Sequence, residues 1–272
     1  MSQPPAPVRQ APPDYERSTS SRALAGTSVA TAVWWWPISG VVQQADRALL
    51  QPSDHERLAR IRTPARAAEF ITSRARIRTI LSEVLDVPPD VIELGRRRCP
   101  CCADPDHGPP MVLRPHTPLW IGISHTEGCG LLAVSDAPVG VDVERVRTVR
   151  TEELAPVALT RSEDGYLRTV PEGIARERAF LRMWTRKEAV LKAVGIGIST
   201  DLTAIETHPR SVGTARVVAG LPGAPHTWSV SDLSLPGPWV AAVARHDGRP
   251  GPVALHRAGA RLLPGVASAG RT

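Results

Sequence analysis

The chain has 272 residues, 42% apolar and 22% charged, which suits one large core or two smaller ones. No apolar run approaches the roughly 20 residues that cross a bilayer, which excludes a helical membrane protein. A net charge of +6, carried mostly by arginine, points to an anionic partner: a nucleotide, an acidic protein or a nucleic acid.

Residues 1–27 are rich in Pro, Gln and Ser and lack the apolar stretch of a secretory signal, so they read as a disordered leader. The β-branched and aromatic segment TSVATAVWWWPIS reads as a strand whose tryptophans are core. Thr63-Pro64 then opens a helix that runs to about Leu85, before Pro88-Pro89. Its apolar stripe holds Ala67, Phe70, Ile71, Ile77, Ile80, Leu81, Val84 and Leu85, and Arg74 falls inside it. An arginine there needs an anion, either a carboxylate of the chain or a ligand phosphate.

Three of the cysteines, Cys99, Cys101 and Cys102, crowd one tetrapeptide, and Cys129 stands alone. Without an export signal this is no disulfide framework, and a reduced, cytoplasmic setting follows. Cys99, Cys102 and His107 suggest zinc, but the missing second Cys pair at suitable spacing argues against it.

Residues 118–144 give three strands, PLWIGIS, LLAVS and VGVDVE, read as an antiparallel meander. A polar segment follows, then a second long helix between Pro171 and Gly195 whose stripe includes Ile174, Phe180, Leu181, Trp184, Leu191 and Val194. The strand pair HTWSVSDLSL and PWVAAVARH completes a repeated order of helix, strand, strand. The expected fold is α+β: a pseudo-twofold tandem of two similar subdomains, residues 28–137 and 138–246, each a long helix on a small antiparallel sheet. A cleft lies between them and residues 247–272 form a loose tail.

In GVDVE, alternation sends Val139, Val141 and Val143 to one face and Asp142 with Glu144 to the other. Paired carboxylates of this kind suit a hard cation such as Mg²⁺ or Mn²⁺, or else line a solvated edge. Glu188 lies about 40° from Trp184 on the helical wheel, toward the apolar stripe, and Lys192 sits one turn further on the same flank. Lys192 can pair with Glu188 or meet a phosphate. Glu177 also projects inward, so the wheel alone does not single out Glu188. Ser124 and His125 end the first strand of the meander, where a hydroxyl and an imidazole can meet phosphate. Three carboxylates beside Arg and Lys suggest a pyrophosphate substrate.

The ordered set ISHTEGCGLLAV, GVDVE and FLRMWTRKEAVLKAVGIGI resembles the Sfp-type 4′-phosphopantetheinyl transferases of the holo-carrier-protein synthase superfamily. Their signature is a Ser-His pair, a G-x-D-x-E strand and a W-x-x-K-E-x-x-x-K helix, and the likeness spans roughly residues 50–245. The resemblance implies a transferase that moves phosphopantetheine from coenzyme A to a serine of an acyl or peptidyl carrier protein, with Mg²⁺ (or Mn²⁺) and release of 3′,5′-ADP. By position, Asp142, Glu144 and Glu188 would hold the metal. Lys192 and His125 would contact coenzyme A, with Ser124 and Lys187 as neighbours. Arg62, Arg66, Arg74 and Arg78 match the basic nucleotide-binding region, and Glu163, Glu188 or a metal-held water would be the base. Pro109 stands where many relatives carry a basic residue, so one phosphate contact is missing or supplied elsewhere. The expected state is a monomer, bound to neither membrane nor nucleic acid. A non-catalytic relative that binds coenzyme A or a carrier, and a basic nucleic-acid-binding protein, are the rival readings.

Overall fold

The computed structural model describes residues 31–104, 107–196, 200–219, 227–248 and 251–259. The expected leader, residues 1–27, lies outside them, as does residues 260–272 of the expected tail. The chain runs β1 (Thr31–Pro37), α1 (Gln44–Ala48), α2 (Pro52–Ala59), α3 (Pro64–Leu85), β2 (Glu93–Arg96), β3 (Pro110–Arg114), β4 (Trp120–Thr126), β5 (Cys129–Ser135) and β6 (Val139–Arg145). It continues with α4 (Thr151–Ala158), α5 (Arg161–Arg168), α6 (Ile174–Val194), β7 (Thr214–Val218), β8 (Thr227–Asp232), β9 (Trp239–His246) and β10 (Val253–Arg257).

The architecture is α+β. One four-stranded sheet has the order β10-β1-β5-β4 and carries α3; the other has the order β6-β9-β8-β7 and carries α6, while β2 and β3 form a separate ribbon. In the first sheet the chain passes from β1 through α3 and the β2–β3 ribbon into the hairpin β4–β5, whose second strand lies beside β1; in the second it passes from β6 through α6 into a three-stranded meander, β7–β8–β9, whose last strand lies beside β6.

The two long helices form where the apolar spacing and the punctuation agree. Pro64 begins α3, and Ile77, Ile80, Leu81, Val84 and Leu85 are buried with Trp34 and Trp36 of β1 in one core. Each such side chain contributes about 1.5–3 kcal/mol of burial, an upper bound for a compact unfolded chain. Helix α6 ends where Gly195 adopts a left-handed φ of 85°, a conformation that glycine reaches without strain. A third core lies between the sheets, where Val139, Val141 and Val143 of β6 meet Val33, Leu131 and Ala133.

Four sequence expectations are corrected. The 118–144 meander is split: β4 and β5 pair, but β6 crosses to the other sheet and pairs with β9. Burial of both its faces explains the crossing, since the valines seal one core while Gly140 and Asp142 pack toward α6. The polar stretch after β6 contains α4 and α5, anchored by buried Ala155, Ala158 and Leu167. Residues 253–257, expected in the tail, form a strand parallel to β1, with Ala254 and Leu255 packed against the cores. Finally, Ile174 is 63% exposed at the start of α6 and is no part of its buried stripe.

Candidate active site

Gly140 sets the position of everything that follows. A Cβ at this residue would stand 2.1 Å from the Ala189 carbonyl oxygen and 2.4 Å from the Ala193 nitrogen. Strand β6 therefore lies directly on the backbone of α6, and only glycine permits that approach. Two residues on, Asp142 faces the same helix, level with Glu188 and Lys192.

Asp142 is buried and split in its bonding. Its Oδ1 accepts from Lys192 Nζ at 2.5 Å and from Ser124 Oγ at 2.9 Å, and Lys192 Nζ lies 3.0 Å from Ser124 Oγ. Its Oδ2 is buried with no hydrogen-bond partner, and so is Oε1 of Glu188. Orphaned carboxylate oxygens are costly in a dry place, and two on carboxylates that act on one another mark a position that attracts a cation. Burial, then Asp142 and Glu144, raises Glu188 to about 7 against the partial opposition of Lys192. Burial and Asp142 also push Glu144 up, and its outer oxygen meets Arg147 at 3.5 Å.

The carboxylates of Asp142, Glu144 and Glu188 do not close within 4.8 Å as a set of three; among the described residues only Cys99, Cys102 and His107 do. The donor set nonetheless fits Mg²⁺, which takes one or two carboxylates, keeps several waters and completes its shell with phosphate oxygens. Asp142 and Glu188 offer the two orphaned atoms, and Glu144 stands beside them in the same field.

Next to this acidic wall lies a cleft of about 620 Å³ bordered by Arg57, Phe70, Arg74, Arg96, His125 and Lys192. The guanidinium groups of Arg57 and Arg74 lie 5.5 and 5.2 Å from the Phe70 ring centre, which fixes them by cation–π contact. Arg74 also pairs with Asp54 at 3.2 Å, and burial lowers it to about 10, still cationic at neutral pH. Of the two partners foreseen for Arg74, the carboxylate of the chain is the one found, and Arg74 also borders the cleft. Burial, with Lys192, Arg57 and Arg74 near, holds His125 below the usual imidazole range. Pro109 lines the same cleft and packs on Gly195, so its place is taken by contact between the ribbon and the end of α6.

Several expected residues lie elsewhere. Glu163 is not a candidate base: it is fully buried, and its oxygens accept from Lys187 Nζ at 2.5 Å, Thr160 N at 2.9 Å, Thr207 N at 2.9 Å and Thr207 Oγ1 at 2.5 Å. Lys187 is its buried counter-ion and donates to the Leu202 carbonyl at 2.8 Å, and it does not border the cleft. Arg78 is also structural, buried against Asp54 at 2.6 Å and the Ile92 carbonyl at 3.1 Å. Arg62 and Arg66 are exposed and border no part of the cleft.

Asp54, Arg57 and Arg96 were missed. A signal for Asp54 existed: Arg74 and Arg78, one turn apart on a buried face, together require a carboxylate, and Pro52-Ser53-Asp54 begins a helix just upstream.

Residues 138–244 match the family model described as the 4′-phosphopantetheinyl transferase superfamily. A putative 4′-phosphopantetheinyl transferase of Synechocystis sp. is 28% identical over 175 residues, 64% of this chain and 68% of that protein. The 4′-phosphopantetheinyl transferase HetI of Nostoc sp. is 28% identical over 205 residues, 72% of this chain and 78% of that protein. The 4′-phosphopantetheinyl transferase psf-1 of Bacillus pumilus is 31% identical over 105 residues, 38% of this chain and 44% of that protein.

Proposed function

We propose that this chain, whose residues 138–244 match the 4′-phosphopantetheinyl transferase superfamily model, moves the phosphopantetheine arm of coenzyme A onto a serine hydroxyl of an apo acyl or peptidyl carrier protein. The observation that carries this reading is Lys192, which stands between the acidic wall of Asp142 and a cleft bordered by Arg57, Arg74 and His125. Cations on one side and buried carboxylates on the other suit a diphosphate with its divalent counter-ion.

Arg57 and Arg74 bind the nucleotide phosphates, fixed in place by Phe70 and Asp54. His125 and Ser124 donate to phosphate oxygens at the end of β4. Lys192 releases Asp142 and turns to the diphosphate, where it stabilises charge that grows on the departing oxygen. Magnesium or manganese, held by Asp142 and Glu188 with Glu144 beside them, would supply the remaining neutralisation. The carrier serine oxygen bonds to the phosphorus that bears the pantetheine arm, the bond from that phosphorus to the bridging oxygen breaks, and 3′,5′-ADP leaves. With Glu163 occupied by Lys187, Glu188 or a water held by the divalent ion would take the serine proton.

One chain suffices for the cleft, since residues from 53 to 125 form one wall and Lys192 and Gly195 the other. A monomer built of tandem units, 28–137 and 138–246, is supported by the two four-stranded sheets that each carry one long helix. The net charge of +6 draws an acidic carrier by long-range attraction. No described helix is long and apolar enough to cross a membrane. The test is to mix the protein with apo-carrier, coenzyme A and Mg²⁺ and weigh the carrier. One added phosphopantetheine arm supports the reading, and an unchanged carrier mass overturns it.

A further inference from the structure

We propose that Cys99, Cys102 and His107 form a zinc site that clasps the loop between β2 and β3. One ligand atom from each of the three lies within 4.8 Å of the others. Zinc bonds of about 2.3 Å to sulfur and about 2.0 Å to nitrogen put tetrahedral ligands roughly 3.6–3.8 Å apart, so one ion can meet all three with small side-chain movements. The Nε2 atom of His107 faces the cluster, 3.1 Å from Cys102 Sγ and 3.5 Å from Asp104 Oδ2. Asp104 thus stands where a fourth ligand or a water would complete the shell.

The backbone prepares the sulfurs. Cys99 N donates to the Asp104 carbonyl and Ala103 N to the Cys99 carbonyl, both at 2.8 Å, which folds the loop back and sets the two cysteines side by side. Ala103 has the left-handed φ of 58° that this turn needs. Backbone amides of Cys102 and Cys101 aim at the Cys99 sulfur, and the Asp104 amide aims at the Cys102 sulfur. A zinc ion would replace the thiol protons, which pass to solvent. Thiolate and imidazole donors select zinc over the hard Mg²⁺ of the neighbouring carboxylates.

The site sits at the edge of the cleft. His107, Gly108 and Pro109 border it. The loop neck is drawn shut by Arg97 N on the Pro109 carbonyl at 2.8 Å and Arg96 Nη1 on the Gly108 carbonyl at 2.9 Å. A zinc ion would fix the part of the loop that these bonds leave open.

The test needs no substrate, so it stands or falls separately from the transferase reading. The full chain is purified without chelator or metal-affinity tag, its metal is measured by mass spectrometry, and zinc released by a mercurial is titrated with a chromogenic chelator. About one zinc per chain is expected, retained in Cys129→Ser and Asp142→Ala and lost in Cys102→Ser and His107→Ala. Both lost-site positions are exposed, so the variants should fold. Trypsin should cut after Arg96, Arg97 or Arg98 faster once zinc is stripped. The proposal is overturned by wild-type protein that neither carries nor takes up zinc, by a Cys99–Cys102 disulfide in the purified chain, by zinc retained in both variants, or by unchanged cutting after stripping.

Discussion

Lys192 Nζ lies 2.5 Å from Asp142 Oδ1, while Oδ2 of the same carboxylate is buried without a partner. A lysine that bridges one oxygen and leaves the other open is poised to exchange its carboxylate for a phosphate. Lys192→Ala and Asp142→Asn are each expected to lower kcat/KM about 10²-fold or more, the size of losing one charged donor or ligand in a dry site. Because the two act as a unit, the double variant should lose far less than the product of the single losses. Steady-state kinetics on all three variants checks this, and full additivity would contradict it.

The buried pair of Glu163 and Lys187 predicts a stability effect. Glu163→Gln leaves a lysine charge without its counter-ion in a fully buried place, at a cost of about 3–5 kcal/mol. Urea unfolding should show that loss, while the folded fraction keeps most of its turnover. A large fall in kcat with unchanged stability would return Glu163 to the role of base.

Gly140 and Gly165 make a matched comparison. Gly140→Ala places a methyl 2.1 Å from the Ala189 carbonyl oxygen, whereas nothing lies within 4 Å of a methyl at Gly165. The first should destabilise the protein by about 1–3 kcal/mol or more and weaken transfer by moving β6 off α6. The second, in an exposed helix, should stabilise by about 0.5–1 kcal/mol. Thermal melts of both variants decide the matter, and equal melting points would contradict the backbone contact.

The pH dependence of the metal-free protein follows from Glu188. Folding raises it from 4.5 to about 7, so the folded chain holds a proton that the unfolded chain has already lost across that window. Its stabilising contribution is complete below about pH 4.5 and disappears as the pH rises through about 7. Glu144 acts in the same direction. His125, depressed by burial and nearby cations, acts oppositely, losing stability as the pH falls below its unfolded value. The advantage of Glu188→Gln over wild type in chelator should therefore grow between about pH 5 and pH 8. A difference that stays flat across that range would refute the shift.

Much of this was legible in the chain itself, for reasons that differ by element. Helix α3 announces itself because Pro64 starts it and its apolar spacing is regular, and α6 ends at a glycine that needs a positive φ. The convergence of Asp142, Glu188 and Lys192 was visible through alternation on a strand and the helical wheel. The crossing of β6 to the second sheet was not, because an antiparallel hairpin and a sheet change share the same local pattern. Glu163 and Lys187 misled for a related reason: an acid and a base near a motif look alike whether they face a substrate or each other. Cys99, Cys102 and His107 were set aside as a zinc set because no second Cys pair stands at suitable spacing, and only the fold shows that the loop turns back and brings the three ligand atoms together.

The central claim is that the acidic wall and the basic cleft bind coenzyme A together through a divalent ion. Calorimetry of coenzyme A with wild type and Asp142→Ala, each with and without Mg²⁺, tests it most directly. The account predicts that Mg²⁺ tightens binding to wild type at least about tenfold, roughly 1.4 kcal/mol, and leaves Asp142→Ala unchanged. Equal binding to wild type with and without the ion, or the same gain in Asp142→Ala, would contradict it.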